Sequence, residues 1–254
     1  MKLGLVTYNL ANEWDLPTII DKCSKHGFHG VEARTTHAHG IELELSTAQR
    51  AEVKKQFDDS PVALCGLGST YEYHSADETE VRQNINGTKE YVKLAHDVGC
   101  PGVKVRPNGV QTSKGIPLEK TLDQIGLALR ECATFAQDYG VEIRLEIHGQ
   151  VTCEVPHCKT IMEVADHPNA LLCWNSNQSD LVDGSIDANF ESVRDKIALV
   201  HMRDICLPEY PWAHLLQLLK QSGYAGFTCA EIPGNEDPDR IMGYYSALWK
   251  AYTA

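Results

Sequence analysis

The 254-residue sequence has no apolar run approaching the roughly 18 residues of a membrane span, so a membrane-embedded chain is not expected. It has no CxxC pair among its nine cysteines, which argues against a zinc ribbon or a dithiol redox motif. No G-x-G-x-x-G follows the first apolar segment, so dinucleotide binding has no support. Positive charge is scarce. There are 23 Lys and Arg against 35 Asp and Glu, a net charge of −12 with histidine neutral. Such a chain is repelled by phosphate backbones, and nucleic acid is not expected as a partner unless a local basic groove overrides the total. The opening MKLGLVTYNLANEWDL is too polar for a secretory signal and reads as a first strand and its loop. An odd number of scattered cysteines without such a signal suggests free thiols in a reducing cytoplasm. Cys65, Cys173 and Cys229 sit in apolar runs, where they read as small core residues.

What the sequence does have is alternation. Short apolar runs at 3–8, 30–34, 62–68, 102–106, 141–148, 170–175, 197–203 and 226–232 predict strands. Longer amphipathic stretches near 15–26, 47–58, 77–98, 117–138, 157–166, 187–195, 211–221 and 237–251 predict helices. Start signals support them: Asp15 before Leu16-Pro17, and Ser46 before TAQRAEVKKQF. So do stop glycines at Gly27, Gly99, Gly140 and Gly223. Eight strands alternating with eight helices and no linker predict a single α/β domain over 1–254, a closed (β/α)8 TIM barrel. A doubly wound open sheet is the alternative, but its strands are buried on both faces and read as continuous apolar runs.

These strands do not. In IRLEIHG (143–149), Ile143, Leu145 and Ile147 alternate with Arg144, Glu146 and His148, which share one face. The same parity pairs Glu32 with Arg34, Lys104 with Arg106, Cys173 with Asn175, His201 with Arg203, and Cys229 with Glu231. In a barrel one face of each strand meets the helices and the other looks inward, toward the active site at the carboxyl ends. Charged groups brought there must pair with each other, bind a metal, or both. Glu146, Asn175, His201 and Glu231 stand at the ends of the last four strands. Two carboxylates, an imidazole and an amide oxygen suit one divalent ion such as Mn2+, Mg2+, Co2+ or Zn2+. The other reading is that each glutamate pairs with one of Arg34, Lys104, Arg106, Arg144 or Arg203.

LEIHG (145–149), CWNSNQS (173–179), LVHMRD (199–204) and CAEIPG (229–234) make the chain resemble the xylose-isomerase-like TIM barrels, the sugar phosphate isomerase/epimerase superfamily. The resemblance covers essentially the whole length. It implies metal ligation by Glu146, His201 and Glu231, with Asp204 orienting His201. Where the family commonly has Asp and then His on the sixth strand, this chain has Asn175 and Gln178. An uncharged Asn175 oxygen leaves an ion held less tightly and more polarising.

The resemblance also implies chemistry next to a carbonyl on a polyhydroxylated substrate, through an enediolate. Glu146 or Glu231 would act as base, with His148 as a further acid/base. Arg106 and Arg203 would anchor substrate oxygens or a carboxylate. On the rim, Glu72 and His74 are preferred to His37 and His39 as substrate contacts, because Tyr71 and Tyr73 beside them could stack a sugar ring. Trp14 and Trp174 are candidate apolar walls. No glycine-rich turn follows the last two strands, so an unphosphorylated sugar, keto-sugar or cyclitol is expected. The expected activity is isomerisation or epimerisation. The alternatives are a lyase or dehydratase resembling the inosose dehydratases, a DNA-cutting endonuclease IV-like enzyme, and a metal-free sugar-binding barrel. A homo-oligomer is left open.

Overall fold

In the computed structural model, which describes all 254 residues, β1 (Lys2–Val6), β2 (Gly30–Arg34), β3 (Ala63–Glu72), β4 (Gly102–Arg106), β5 (Glu142–Glu146), β6 (Ala170–Trp174), β7 (Ile197–Met202) and β8 (Phe227–Ala230) pair in chain order. Every pair is parallel, and β8 returns to β1 to close the barrel. Between the strands run α1 (Leu16–His26), α2 (Thr47–Asp58), α3 (Glu78–Asp97), α4 (Leu118–Gln137), α5 (Val155–Ala165), α6 (Asp187–Val193) and α7 (Trp212–Gln221), with α8 (Pro238–Thr253) after β8. The fold is a single (β/α)8 TIM barrel, with every expected element in place.

Local chemistry sets the boundaries. Asp15 accepts the Thr18 amide at 2.9 Å, and Pro17 fills the first turn of α1. Gly27 ends that helix in the left-handed conformation, φ 74°. Ser46 and Gln49 form a reciprocal capping box on α2. The largest departure from expectation is β3. It runs ten residues to Glu72 rather than ending at Gly68, with a register shift before Glu72 pairs with Arg106. The polar stretch Ser69-Thr70-Tyr71-Glu72 carries no strand signal, but its backbone still pairs with β4 across that irregularity.

The core has two parts. The larger lies between the barrel and its helices. The smaller fills the barrel interior with Val6, Cys65, Cys173, Leu199 and Cys229. All nine cysteines are free, and seven are buried. Arg144 belongs to the lower interior. It donates to Glu142 through Nε (2.9 Å) and Nη2 (2.7 Å), and to the Cys65 carbonyl at 2.7 Å. It shares a face with Glu146 and His148 but sits below them, so it does not reach the carboxyl-end cavity. No helix is long and apolar enough to cross a membrane.

Candidate active site

The carboxyl ends of the strands open into a cavity of about 690 Å3. Its floor is built from single residues on separate strands: Glu32 on β2, Lys104 on β4 and Glu146 on β5, with Asn175 just after β6 and Glu231 just after β8, and His201 on β7 is bonded to Glu32 beside them. Glu32, Lys104, Glu146, Asn175 and His201 are all buried. Glu231 keeps 22% of its side chain exposed, toward the opening.

Ligand atoms of Glu146, His201 and Glu231 lie within 4.8 Å of one another. His201 Nδ1 is 3.3 Å from Glu146 Oε1 and 4.0 Å from Glu231 Oε2. It makes no aligned hydrogen bond to either. Asn175 Oδ1 is likewise buried without a partner. An orphaned imidazole nitrogen beside two carboxylates, in a cavity that also holds an orphaned amide oxygen, is the arrangement expected of a cation site. On its far side, His201 Nε2 donates to Glu32 Oε2 at 2.8 Å, which leaves Nδ1 as the nitrogen that could hold an ion. Burial opposes charge on His201, but the Cys173 sulfur and the Glu32 carboxylate outweigh it and raise the ring well above the ordinary imidazole range. Ion binding at Nδ1 would displace that proton. Glu32 itself needs space, which two glycines of β3 provide. A Cβ at Gly68 would lie 2.8 Å from Glu32 Oε1, and one at Gly66 would lie 3.2 Å from Glu32 Cγ.

The two site glutamates differ. Lys104 Nζ donates to Glu146 Oε2 at 2.6 Å, both side chains being more than nine-tenths buried. Burial pushes the Glu146 carboxyl up, but the Lys104 charge, joined by His201, holds it well below the usual carboxylate range. Glu231 has no Lys or Arg partner. His148 reaches the cavity from the segment after β5, with Nδ1 on Asn108 Oδ1 at 2.9 Å. Burial lowers it, so the ring is neutral near pH 7. Backbone strain concentrates on this face of the barrel. Asn9, Thr36, Asn108, Val151 and Ser176, in the segments after β1, β2, β4, β5 and β6, all have φ between 52° and 69°.

The family model for the xylose isomerase-like TIM barrel matches residues 20–248. The chain belongs to this family. The inosose isomerase of Bacillus velezensis is 25% identical over 208 residues, covering 80% of this chain and 72% of that protein. Two solved structures share the fold. A D-psicose 3-epimerase from Clostridium cellulolyticum with D-tagatose has a TM-score of 0.85 and 16% identity, covering 100% of this chain and 99% of that one. The IolI protein with a bound zinc atom has a TM-score of 0.77 and 19% identity, covering 100% and 96%.

Within this xylose isomerase-like barrel, three of the four expected metal ligands, Glu146, His201 and Glu231, come together, and Asn175, His148, Arg106 and Arg203 line the cavity beside them. Glu72 and His74 do not line the cavity. Glu72 lies 3.9 Å from Arg106 Nη2, and His74 lies against Gly109. Because β3 continues to Glu72, Tyr73 is driven outward under the helices, where its hydroxyl meets Thr88 of α3 at 2.7 Å. Tyr71 packs edge-on against Tyr91. Neither tyrosine lines the cavity to stack a sugar ring. Trp174 is fully buried and donates to Tyr210, while Trp14 sits beside Lys22, so neither forms a cavity wall. Gln178 turns away and donates to the Glu209 carbonyl. His201 is oriented by Glu32 rather than Asp204, which instead lines the cavity. Three contributors were not assigned to the site from the sequence: Glu32 as the histidine's partner, Lys104 as the partner of Glu146, and Arg34 at the mouth. Strand parity placed all three on the inner face, but parity does not say which inward groups meet.

Proposed function

We propose that the protein is a divalent-metal-dependent isomerase or epimerase acting next to a carbonyl of an unphosphorylated sugar, keto-sugar or cyclitol. The observation that carries this reading is the convergence of the partnerless His201 Nδ1 with Glu146 and Glu231, at a cavity also lined by Asn175, whose Oδ1 is buried without a partner. The donor set suits a hard or borderline ion, and the zinc-bound IolI structure and the inosose isomerase relative support it. A divalent ion held by these four residues supplies polarisation of the substrate carbonyl, which makes the neighbouring C–H acidic.

The protein's own groups then divide the work. Glu146, tied to Lys104, holds its charge and serves as a ligand. Glu231, without a cationic partner and facing the opening, is the base that removes the proton from the carbon next to the carbonyl. Neutral His148, its ring fixed by Asn108, moves a second proton to or from a substrate oxygen or carbon. A neutral, cavity-facing imidazole also serves elimination, and a lyase is therefore the second reading.

The test is incubation of Mn2+-loaded protein in D2O with D-fructose, an inosose and a 3-keto-glucoside. NMR follows deuterium entry and mass spectrometry follows the product. Exchange beside the carbonyl with an equal-mass product is expected. Glu231→Gln should reduce it by about 10²–10⁴-fold. A product lighter by water or by an aglycone establishes the lyase. Absence of exchange with all three, together with no metal-induced rise in melting temperature, overturns both readings.

A further inference from the structure

We propose that the substrate carries a carboxylate, received by Arg34, Arg106 and Arg203 at the cavity mouth. The proposal rests on the reading of the cavity as an active site and adds the class of sugar it accepts: a sugar acid rather than a neutral sugar. The three arginines stand at the ends of β2 and β4 and just after β7, so they approach the opening from three sides of the closed barrel.

Their bonding leaves them available. Of the six other arginines, Arg50, Arg82, Arg144 and Arg194 each meet a carboxylate within 3.2 Å, Arg130 is held by the Val164 and Ala165 carbonyls, and Arg240 lies over the Tyr244 ring. At the cavity, Arg34 touches only the Thr35 carbonyl (3.2 Å), His37 and the Tyr8 ring. Arg106 reaches the Thr70 carbonyl at 3.3 Å and approaches Glu72 no closer than 3.9 Å, with its Nε buried and partnerless. Arg203 has neither a hydrogen-bond partner nor a carboxylate within 4.0 Å. Three guanidinium forks with no carboxylate closer than 3.9 Å thus face one opening in a chain of net charge −12.

The cavity's charge balance points the same way. Four cationic side chains line it (Arg34, Lys104, Arg106, Arg203) against four anionic ones (Glu32, Glu146, Asp204, Glu231). A divalent ion would leave the cavity two units positive, and a polyol brings nothing to offset that. The planar fork of arginine matches a carboxylate in bidentate fashion. A phosphate monoester shares the oxyanion chemistry, but the cavity segments after β7 and β8 contribute Leu207 and Pro233 rather than a glycine-rich cradle.

Binding, not turnover, tests this. Calorimetry with Mn2+-loaded protein compares D-fructuronate with D-fructose, D-glucuronate with D-glucose, and includes D-fructose 6-phosphate. Each acid should bind at least about tenfold more tightly than its neutral partner, and more weakly as salt rises. Arg203 is exposed and unbonded, so Arg203→Gln folds normally and is the deciding variant. It should reduce the preference about fivefold or more with Mn2+ affinity unchanged, and Arg106→Gln should reduce it further. Equal binding of acids and neutral sugars overturns the proposal, as does a preference that survives both variants. Tightest binding of the phosphate ester overturns the carboxylate assignment. Failure of the enolising chemistry shows separately, as absent deuterium exchange with the anion preference intact.

Discussion

Lys104→Met removes the one Lys or Arg in contact with Glu146 and leaves its methylene stem. Breaking a buried ion pair from one side typically costs about 3–5 kcal/mol, because the remaining charge stays desolvated. Here the lower end applies, since His201 Nδ1 lies 3.3 Å from the other Glu146 oxygen and takes up part of the charge. For a chain of this size each kcal/mol is worth about 2–4 °C, so melting in chelator should fall by about 6–12 °C. The depressed Glu146 carboxyl adds a pH signature. A carboxylate held below its unfolded value stabilises the fold above about pH 4 and loses that contribution on acidification. The gap between wild type and variant should therefore close as pH drops below about 4.

The ion supplies a second arm. Lys104 and a bound cation repel each other across Glu146, so the variant should bind Mn2+ more tightly and recover most of its lost stability when the ion is added. Lys104→Met/Glu146→Gln removes both charges and should melt above Lys104→Met alone in chelator. If Lys104→Met melts with wild type in chelator, or the double variant is no better than the single one, the pair does not carry the charge balance argued here.

Asn175→Asp adds a negative charge to the ligand set and should raise Mn2+ affinity about tenfold or more by calorimetry while lowering turnover, because the ion polarises substrate less; unchanged affinity would show that Asn175 is not a ligand. Asp180 gives a prediction about stability. It is fully buried with Oδ1 unpaired, and burial raises its carboxyl to about 7 against the opposing bonds from Tyr210 and the Asn177 amide. The folded state then keeps a proton that the unfolded chain releases near pH 4, so stability falls as pH rises from about 4 to about 7, by up to about 1.4 kcal/mol per pH unit. Asp180→Asn should flatten that slope in thermal melts, and an unchanged slope would mean that Asp180 is ionised in the fold.

Fold and site were legible to different depths for physical reasons. Helix ends are local. Asp15 with Pro17, or Ser46 with Gln49, specify a start within four residues, and α1 and α2 begin within a residue of where those signals put them. Strand ends depend on the neighbouring strand. β5 ends at Glu146 against β6, and three residues on the chain packs on another segment, Gly149 at φ 95° having no room for a Cβ, which would lie 2.5 Å from the Asn108 backbone. Period-two alternation tells which residues face inward, and so puts Glu146, Asn175, His201 and Glu231 at the carboxyl-end face of the barrel. It carries no information about height or reach. Arg144 points the same way as Glu146 but is held low by Glu142 and the Cys65 carbonyl, and Glu32 meets His201 across 169 residues of sequence.

That long-range pairing decides what the departure at position 175 means. Glu32 and Lys104 are opposite charges on the cavity floor, so they add nothing to its balance. Glu146 and Glu231 with neutral His201 and Asn175 then just neutralise a divalent ion, where an Asp at 175 would leave a negative charge. A floor brought to neutrality does not repel an anion, and the arginines above it attract one. On this account the weaker ligand at Asn175 is also the condition for accepting a charged substrate, so Asn175→Asp should reduce D-fructuronate affinity while leaving D-fructose affinity nearly unchanged. A loss shared equally by both sugars would mean that Asn175 acts on the ion alone.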